Sequence, residues 1–389
     1  MCNWIPMLMK DSGNVVRSQS MDIFKGVAIS IIVILHIGIV AKSNVGDPAP
    51  PVQALYLGLV GFFIMSGYFF KPGRGFRENM RRRVKVLLLA LLVAAFGLSL
   101  ISFLWCSLWG QPTDFEDLLH CIGRAFTLER SFVDFDAKIP WAICGFTMGY
   151  YFLWVLLGAC IIFYAVADRI RDDWKLGLVV VAILLIITIV YRELFSFSLP
   201  FNINLCPMAA VFMIVGMYLA KLDLAGMIES ARVKDPKYWG LFLGSTAVLL
   251  LMVYTLPPSI DFDFMDFGQY GGYSAIPYVV EGTLAFIMLL YLFFFLSKVP
   301  LISSLFVVIG RHTMGILILH VFIAKVIMAP FFTFDDVVCL SADLQGIWRI
   351  LLALASLAIS CLICMYGPVI LRRLMSKKGK GTEEAQASR

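Results

Sequence analysis

Apolar runs of the length an α-helix needs to cross a bilayer recur along this chain, and they leave little of it for anything else. Ten such runs occupy 22–40, 54–70, 84–105, 142–167, 176–192, 205–221, 239–256, 275–296, 312–330 and 347–371. Crossing about 30 Å of hydrocarbon takes roughly 20 helical residues. In that layer each segment must satisfy its own backbone N–H and C=O groups, so isolated runs fold as helices. Of the 389 residues, 60% are hydrophobic and 15% charged, where soluble chains average about half and a quarter. The expected fold is all-α, a polytopic membrane bundle of about ten transmembrane helices over 22–371, with tails at 1–21 and 372–389. Met1–Met9 has neither a charged start nor a sufficient apolar stretch, so no cleavable leader is expected.

Lysine and arginine divide unevenly between the two sides. Connections after the odd-numbered runs hold Lys42, then Arg124, Arg130 and Lys138, then Arg192, and none in 257–274 or 331–346. The even-numbered connections and the tails hold Lys10 and Arg17; Lys71, Arg74, Arg77, Arg81, Arg82 and Arg83; Arg169, Arg171 and Lys175; Lys221, Arg232, Lys234 and Lys237; Lys298 and Arg311; and a basic group from Arg372 to Lys380. The bias predicts that both termini are cytoplasmic. It also accounts for the net charge of +6, so no nucleic-acid partner is expected.

Lys25 and His36 lie inside the first run. Eleven helical residues return to within roughly 20° of the starting face and rise roughly 16 Å, so the two share a face at two depths. Ionisable groups are costly in hydrocarbon unless they line a cavity or find partners, and the pair therefore points to a polar passage. Asp22, three residues before Lys25, is its natural partner. The second loop, G-R-G-F-R-E-N-M-R-R-R-V-K from Gly73 to Lys85, carries a basic cluster into the third run. Bases at a helix N-terminus oppose the macrodipole, so either lipid headgroups or a phosphorylated ligand should compensate them.

Three stretches together resemble the membrane acyltransferase-3 family. R-x-x-x-x-D-I-F-K-G-V-A-I-S-I-I-V-I-L-H, Arg17 to His36, looks like its opening signature; F-F-I-M-S-G-Y-F-F, Phe62 to Phe70, resembles its second-helix motif with Ser66 and Gly67 in place; and I-G-R-H-T-M-G-I-L-I-L-H, Ile309 to His320, is similar to its late segment. Two departures stand out. The family's two-arginine motif before helix 3 is matched as Arg82-x-x-Lys85, without the proline that often follows, and His312 and Thr313 stand where asparagine and serine are more usual. The short polar tail Ser376–Arg389 makes the chain similar to stand-alone members, including fucose and polysaccharide O-acetyltransferases.

The resemblance implies transfer of an acetyl or other short acyl group from cytoplasmic acyl-coenzyme A to a hydroxyl of a glycan or lipid-linked sugar on the outer side of a bacterial inner membrane. The chemistry of the residues agrees. A neutral imidazole suits removal of a hydroxyl proton, which makes His36 the candidate base. Lys25, Arg82, Arg83 and Lys85 are the candidate holders of the coenzyme A phosphates, with the thin pantetheine arm reaching towards His36. Acetyl-coenzyme A is a co-substrate, and no permanently bound cofactor or metal is expected. Asp22, Ser66, Glu281 and His320 are candidates for the pocket. For each a plainer role stands beside that one: Ser66-Gly67 allows close helix packing, Glu281 reaches the interface and is solvated, and His320 makes a structural hydrogen bond.

Two outer segments suit a sugar. Residues 257–274 interleave Asp261, Asp263 and Asp266 with Phe262, Phe264, Phe267, Tyr270 and Tyr273, as either an acceptor surface or an interfacial lid. Residues 106–141 are the longest outer segment. The nine cysteines are scattered, and Cys361-x-x-Cys364 lies in an apolar run unsuited to zinc; whether Cys121 and Cys339 pair is open, as is the oligomeric state. A rival reading is an exporter or proton-coupled carrier with Lys25, His36 and Glu281 as a relay, against which stands the lack of an internal repeat or of matched broken helices. A third is a non-catalytic membrane scaffold, in which His36→Ala changes nothing.

Overall fold

The structure, a computed structural model, describes residues 19–40, 60–108, 151–195, 199–230, 236–255, 275–328 and 350–367, with scattered positions at 114–116, 118, 119, 122, 347, 369 and 370. Among these there are helices and turns and no strand. Helix α1 spans Gln19–Val40 and α2 Gly61–Tyr68. α3, Gly75–Leu92, passes through a π-helical turn at Val93–Leu98 into α4, Ser99–Leu108. Then come α5 Tyr151–Ile170, α6 Trp174–Leu194, a 3₁₀ turn Pro200–Leu205, α7 Cys206–Lys221, α8 Leu224–Ser230, α9 Pro236–Thr255, α10 Ala275–Leu296, α11 Pro300–Arg311, α12 Thr313–Met328 and α13 Ile350–Gly367.

Among the described residues six helices are long and apolar enough to cross a membrane: Gly75–Trp105, Phe152–Ile170, Trp174–Leu194, Pro200–Lys221, Ala275–Leu296 and Ile350–Gly367. These are a multi-pass membrane protein's helices, and each overlaps a run read from the sequence. α7 is apolar all round, as a central helix must be, and Met208 to Ile214 are wholly enclosed. It packs on α2, α5 and α6. α6 instead turns Leu178, Ile183, Ile186 and Val190 outward, as a lipid-facing helix does. Its first turn is closed by Asp173, whose carboxylate accepts from the N–H groups of Lys175 and Leu176 at 3.0 Å and so satisfies two of the unpaired donors there.

α1 is the second pillar. Phe24 sits edge-on to Phe286 at 5.1 Å and to Phe293 at 5.7 Å between ring centroids, locking α1 onto α10. α11 also lies on α1. Residues 297–311 read from the sequence as a bare connection, and the structure corrects this: twelve of them form α11, bent 84° from α12. Pro300 in the first turn suits a helix start, its fixed φ being preset and its missing N–H not needed there. Leu301 and Leu305 face outward while Ser303, Ile309 and Gly310 are buried, so α11 is amphipathic and too short to register as a span. No second helix break of this kind occurs among the described residues.

Candidate functional site

Two helix crossings bring the three motif segments together. At the first, a side chain on Gly26 would strike the carbonyl of Phe306, and one on Gly310 the carbonyl of Asp22. The contact is reciprocal, and it seats the late segment on the opening one. At the second, Gly67 abuts the Met213 carbonyl and Gly216 the Ile64 carbonyl, clamping α2 to α7. Small residues at such crossings let helix backbones approach where lipid offers no hydrophobic drive for association.

Above the first crossing, Lys25 Nζ donates to Asp22 Oδ1 at 3.2 Å. Asp22 is 3% exposed, so the pairing anticipated from the sequence offsets a charge that burial would otherwise penalise. The ammonium also stands 5.5 Å from the Phe69 ring centroid, within reach of a cation–π attraction. The next residue, Phe70, stacks on Tyr164 of α5 at 5.9 Å and 29°. Tyr164 OH accepts from Arg83 Nε at 3.1 Å. The Phe69–Phe70 pair at the end of α2 therefore joins Lys25 of α1 to Arg83 of α3 through one aromatic rung. Gly73 and Gly75, both at positive φ (80° and 67°), make the turn that sends the chain from this rung into α3, conformations that glycine adopts without steric cost.

The four bases read as one cluster separate here. Arg83 shares its face with Leu87 and Leu91, which are 1% and 2% exposed. Arg82 and Lys85 stand on the exposed side, and Arg82 Nη2 donates to Glu78 Oε1 at 2.8 Å. Lys25 and Arg83 are brought around the end of α2; Arg82 and Lys85 are not.

His36 lies on the α1 backbone, and its side chain is outside the described residues. Ser66 Oγ donates to the Phe62 carbonyl of its own helix at 2.9 Å, which agrees with a packing role beside Gly67. Glu281 is 1% exposed on α10, so it is enclosed between helices and not solvated at the interface. Its neighbour Gly282 meets Val60 and Phe212, which puts Glu281 beside the start of α2 and the middle of α7. His320 on α12, the helix packed along α1, is fully enclosed. Its ring donates through Nδ1 to the Ile316 carbonyl at 2.9 Å, an assignment that leaves Nε2 as the basic nitrogen of the neutral ring.

Residues 257–274, Cys121, Cys339 and most of 106–141 lie outside the described residues. Among those described, no three His, Cys, Asp or Glu side chains gather as a metal site would need. Tyr164, Phe69 and Phe70 escape a sequence reading of ionisable groups. The aromatic pair closing the second motif was the visible signal; Tyr164 sits in an apolar run that gives none.

A comparison with known families matches residues 18–367 to the acyltransferase domain of acyltransferase type 3. No curated protein and no solved structure matches the chain. The matched range takes in α1 through α13, the three motif segments but for Arg17, and both glycine crossings, and on that ground the chain belongs to the membrane acyltransferase-3 family.

Proposed function

We propose that this protein moves an acetyl or other short acyl group from cytoplasmic acyl-coenzyme A to a hydroxyl of a glycan or lipid-linked sugar on the outer side of a bacterial inner membrane, through a ten-helix bundle with both termini inside. The observation that carries the reading is the pairing of Lys25 and Arg83 around the aromatic end of α2, with Lys25 on the same helix as His36 and roughly 16 Å from it by helical rise. Two cations at one level suit the phosphates of coenzyme A, and the distance to His36 suits an extended thioester arm.

In this scheme His36 takes the proton of the acceptor hydroxyl as its oxygen attacks the thioester carbonyl carbon. The C–S bond breaks, the thiolate leaves with a proton returned by the imidazolium, and the products are the ester and free coenzyme A. Glu281, enclosed beside α2 and α7, and His320, enclosed on the helix packed along α1, are the further candidates for the pocket.

The test uses purified full-length protein in nanodiscs with acetyl-coenzyme A, following thioester consumption and ligand-induced thermal stabilisation. His36→Ala should keep the stabilisation while turnover falls by roughly 10²–10⁴-fold, the usual contribution of general base catalysis. Arg83→Gln should weaken donor binding by about tenfold, the worth of one charge-assisted hydrogen bond. Wild type without binding or turnover for any short acyl-coenzyme A would overturn the reading in favour of a carrier or scaffold.

A further inference from the structure

The cations of α3 that the donor site leaves unused form a stripe of their own. Arg77, Arg81 and Lys85 are exposed and follow one another at four-residue steps, which keeps them on one helical face. Continued along the helix, that face carries Leu88 and Leu92, each 37% exposed, then Phe96 at 48% and Leu100 at 48%. The basic stripe and the apolar stripe are one strip, turning from charged to hydrocarbon-like between Lys85 and Leu88. The opposite strip, Arg83, Leu87 and Leu91, faces α5.

Length fixes the depth of the change. Gly75–Trp105 is 31 residues, roughly 46 Å of helix against about 30 Å of hydrocarbon. About ten residues must therefore stand beyond the core, and only the end bearing Arg77, Arg81 and Lys85 can be the end that does. Their side chains then lie at headgroup level, on the face that turns to lipid a turn later. Glu78 is engaged with Arg82, and among the described residues no carboxylate pairs with the other three. Positive charge in the first turns of a helix also opposes its dipole, which an external anion relieves.

We propose that Arg77, Arg81 and Lys85 form a headgroup site for anionic phospholipid on the outer wall of the bundle, separate from the inward Arg83. The site holds the leaflet's phosphates, not those of the donor, and it tethers the wall of the donor mouth to a charged membrane surface. It stands on the geometry of α3 alone, so a protein without transferase activity that still selects anionic lipid would keep it.

The test equilibrates detergent-solubilised full-length protein with equal amounts of phosphatidylcholine and phosphatidylglycerol and counts retained lipid by native mass spectrometry. Wild type should retain phosphatidylglycerol preferentially, and Arg77→Gln/Arg81→Gln/Lys85→Gln should lower that preference roughly tenfold or more, since each base near an anionic surface contributes about 1 kcal/mol. Arg83→Gln should leave it unchanged, and added coenzyme A should not displace the lipid from wild type. If the triple variant does not fold, Arg77→Lys/Arg81→Lys should retain the preference and rising salt should erase it in wild type. Equal retention of the two lipids by wild type, or a triple variant that keeps the preference, would overturn the proposal. So would displacement of phosphatidylglycerol by coenzyme A together with loss of coenzyme A affinity in the triple variant, which would return the stripe to the donor site.

Discussion

Arg83 and Lys85 are two residues apart and about 200° apart around α3, so one meets Tyr164 and the other meets solvent or lipid. The sequence offers no way to choose between them, because V-L-L-L-A-L-L-V after Lys85 is apolar on every side and sets no phase. The Asp22–Lys25 pair was legible, since three residues on a helix always bring two side chains onto neighbouring positions. Tyr164→Phe tests the rung. It removes the acceptor of Arg83 and leaves the charge in place, so it should cost about 1 kcal/mol of stability and loosen acetyl-coenzyme A binding a few-fold, read by denaturation and by titration. Ser66 and Gly67 test the second motif in opposite directions. The Ser66 hydroxyl bonds only within its own helix, so Ser66→Ala should change stability by less than about 0.5 kcal/mol and leave turnover near wild type. Gly67→Ala pushes a methyl onto the Met213 carbonyl and should lose about 1–3 kcal/mol by overpacking. A Ser66→Ala variant that binds donor normally and fails to turn over would instead place the hydroxyl on substrate.

At the level of elements, six of the ten apolar runs read from the sequence meet described helices long and apolar enough to cross a membrane, and the short helix α11 was missed. The run at 275–296 coincides with α10, and those at 205–221 and 176–192 lie within Pro200–Lys221 and Trp174–Leu194, because a helix surrounded by hydrocarbon or by other apolar helices needs no polar face. α11 has one: its twelve residues mix buried Ser303 and Gly310 with exposed Leu301 and Leu305, and averaging over a span length hides it. Its role is to hold the Asp22–Lys25 level of α1. Besides the reciprocal glycines, Gln19 Nε2 donates to Ser303 Oγ at 2.5 Å. Gly26→Ala and Gly310→Ala should each lose about 1–3 kcal/mol. In combination they should fall short of additivity, since both report on one crossing, whereas Gly26→Ala with Gly67→Ala should add. Thermal melts of the single and double variants decide this, and additivity of the α1–α11 pair would mean that the two contacts do not share a mechanical unit.

For the molecule as a whole, the reading requires a donor on one side and an acceptor on the other, and sidedness is what composition and geometry jointly constrain. The basic residues at the start of α3 stand at the same end of the bundle as the clamp that closes α7, where Lys221 Nζ bonds the Arg171 carbonyl and pairs with Asp172 at 3.2 Å, and Tyr218 OH donates to the Ile170 carbonyl at 2.6 Å. Both lie among the connections rich in lysine and arginine. The aromatic and acidic segment 257–274 falls in a connection with neither base. In a background freed of native cysteine, Arg77→Cys and Ser259→Cys report the two sides separately. In sealed vesicles of defined orientation, a membrane-impermeant maleimide should label Arg77→Cys only from the face that presents the C-terminal tail, and Ser259→Cys only from the opposite face. Acetyl-coenzyme A should then support transfer only when supplied on the Arg77 side. Labelling of both positions from one face would remove the separation between donor and acceptor, and the Lys25–His36 face would lose its meaning as a passage; labelling from opposite faces with donor accepted from either would keep the topology and move the transfer step off this route.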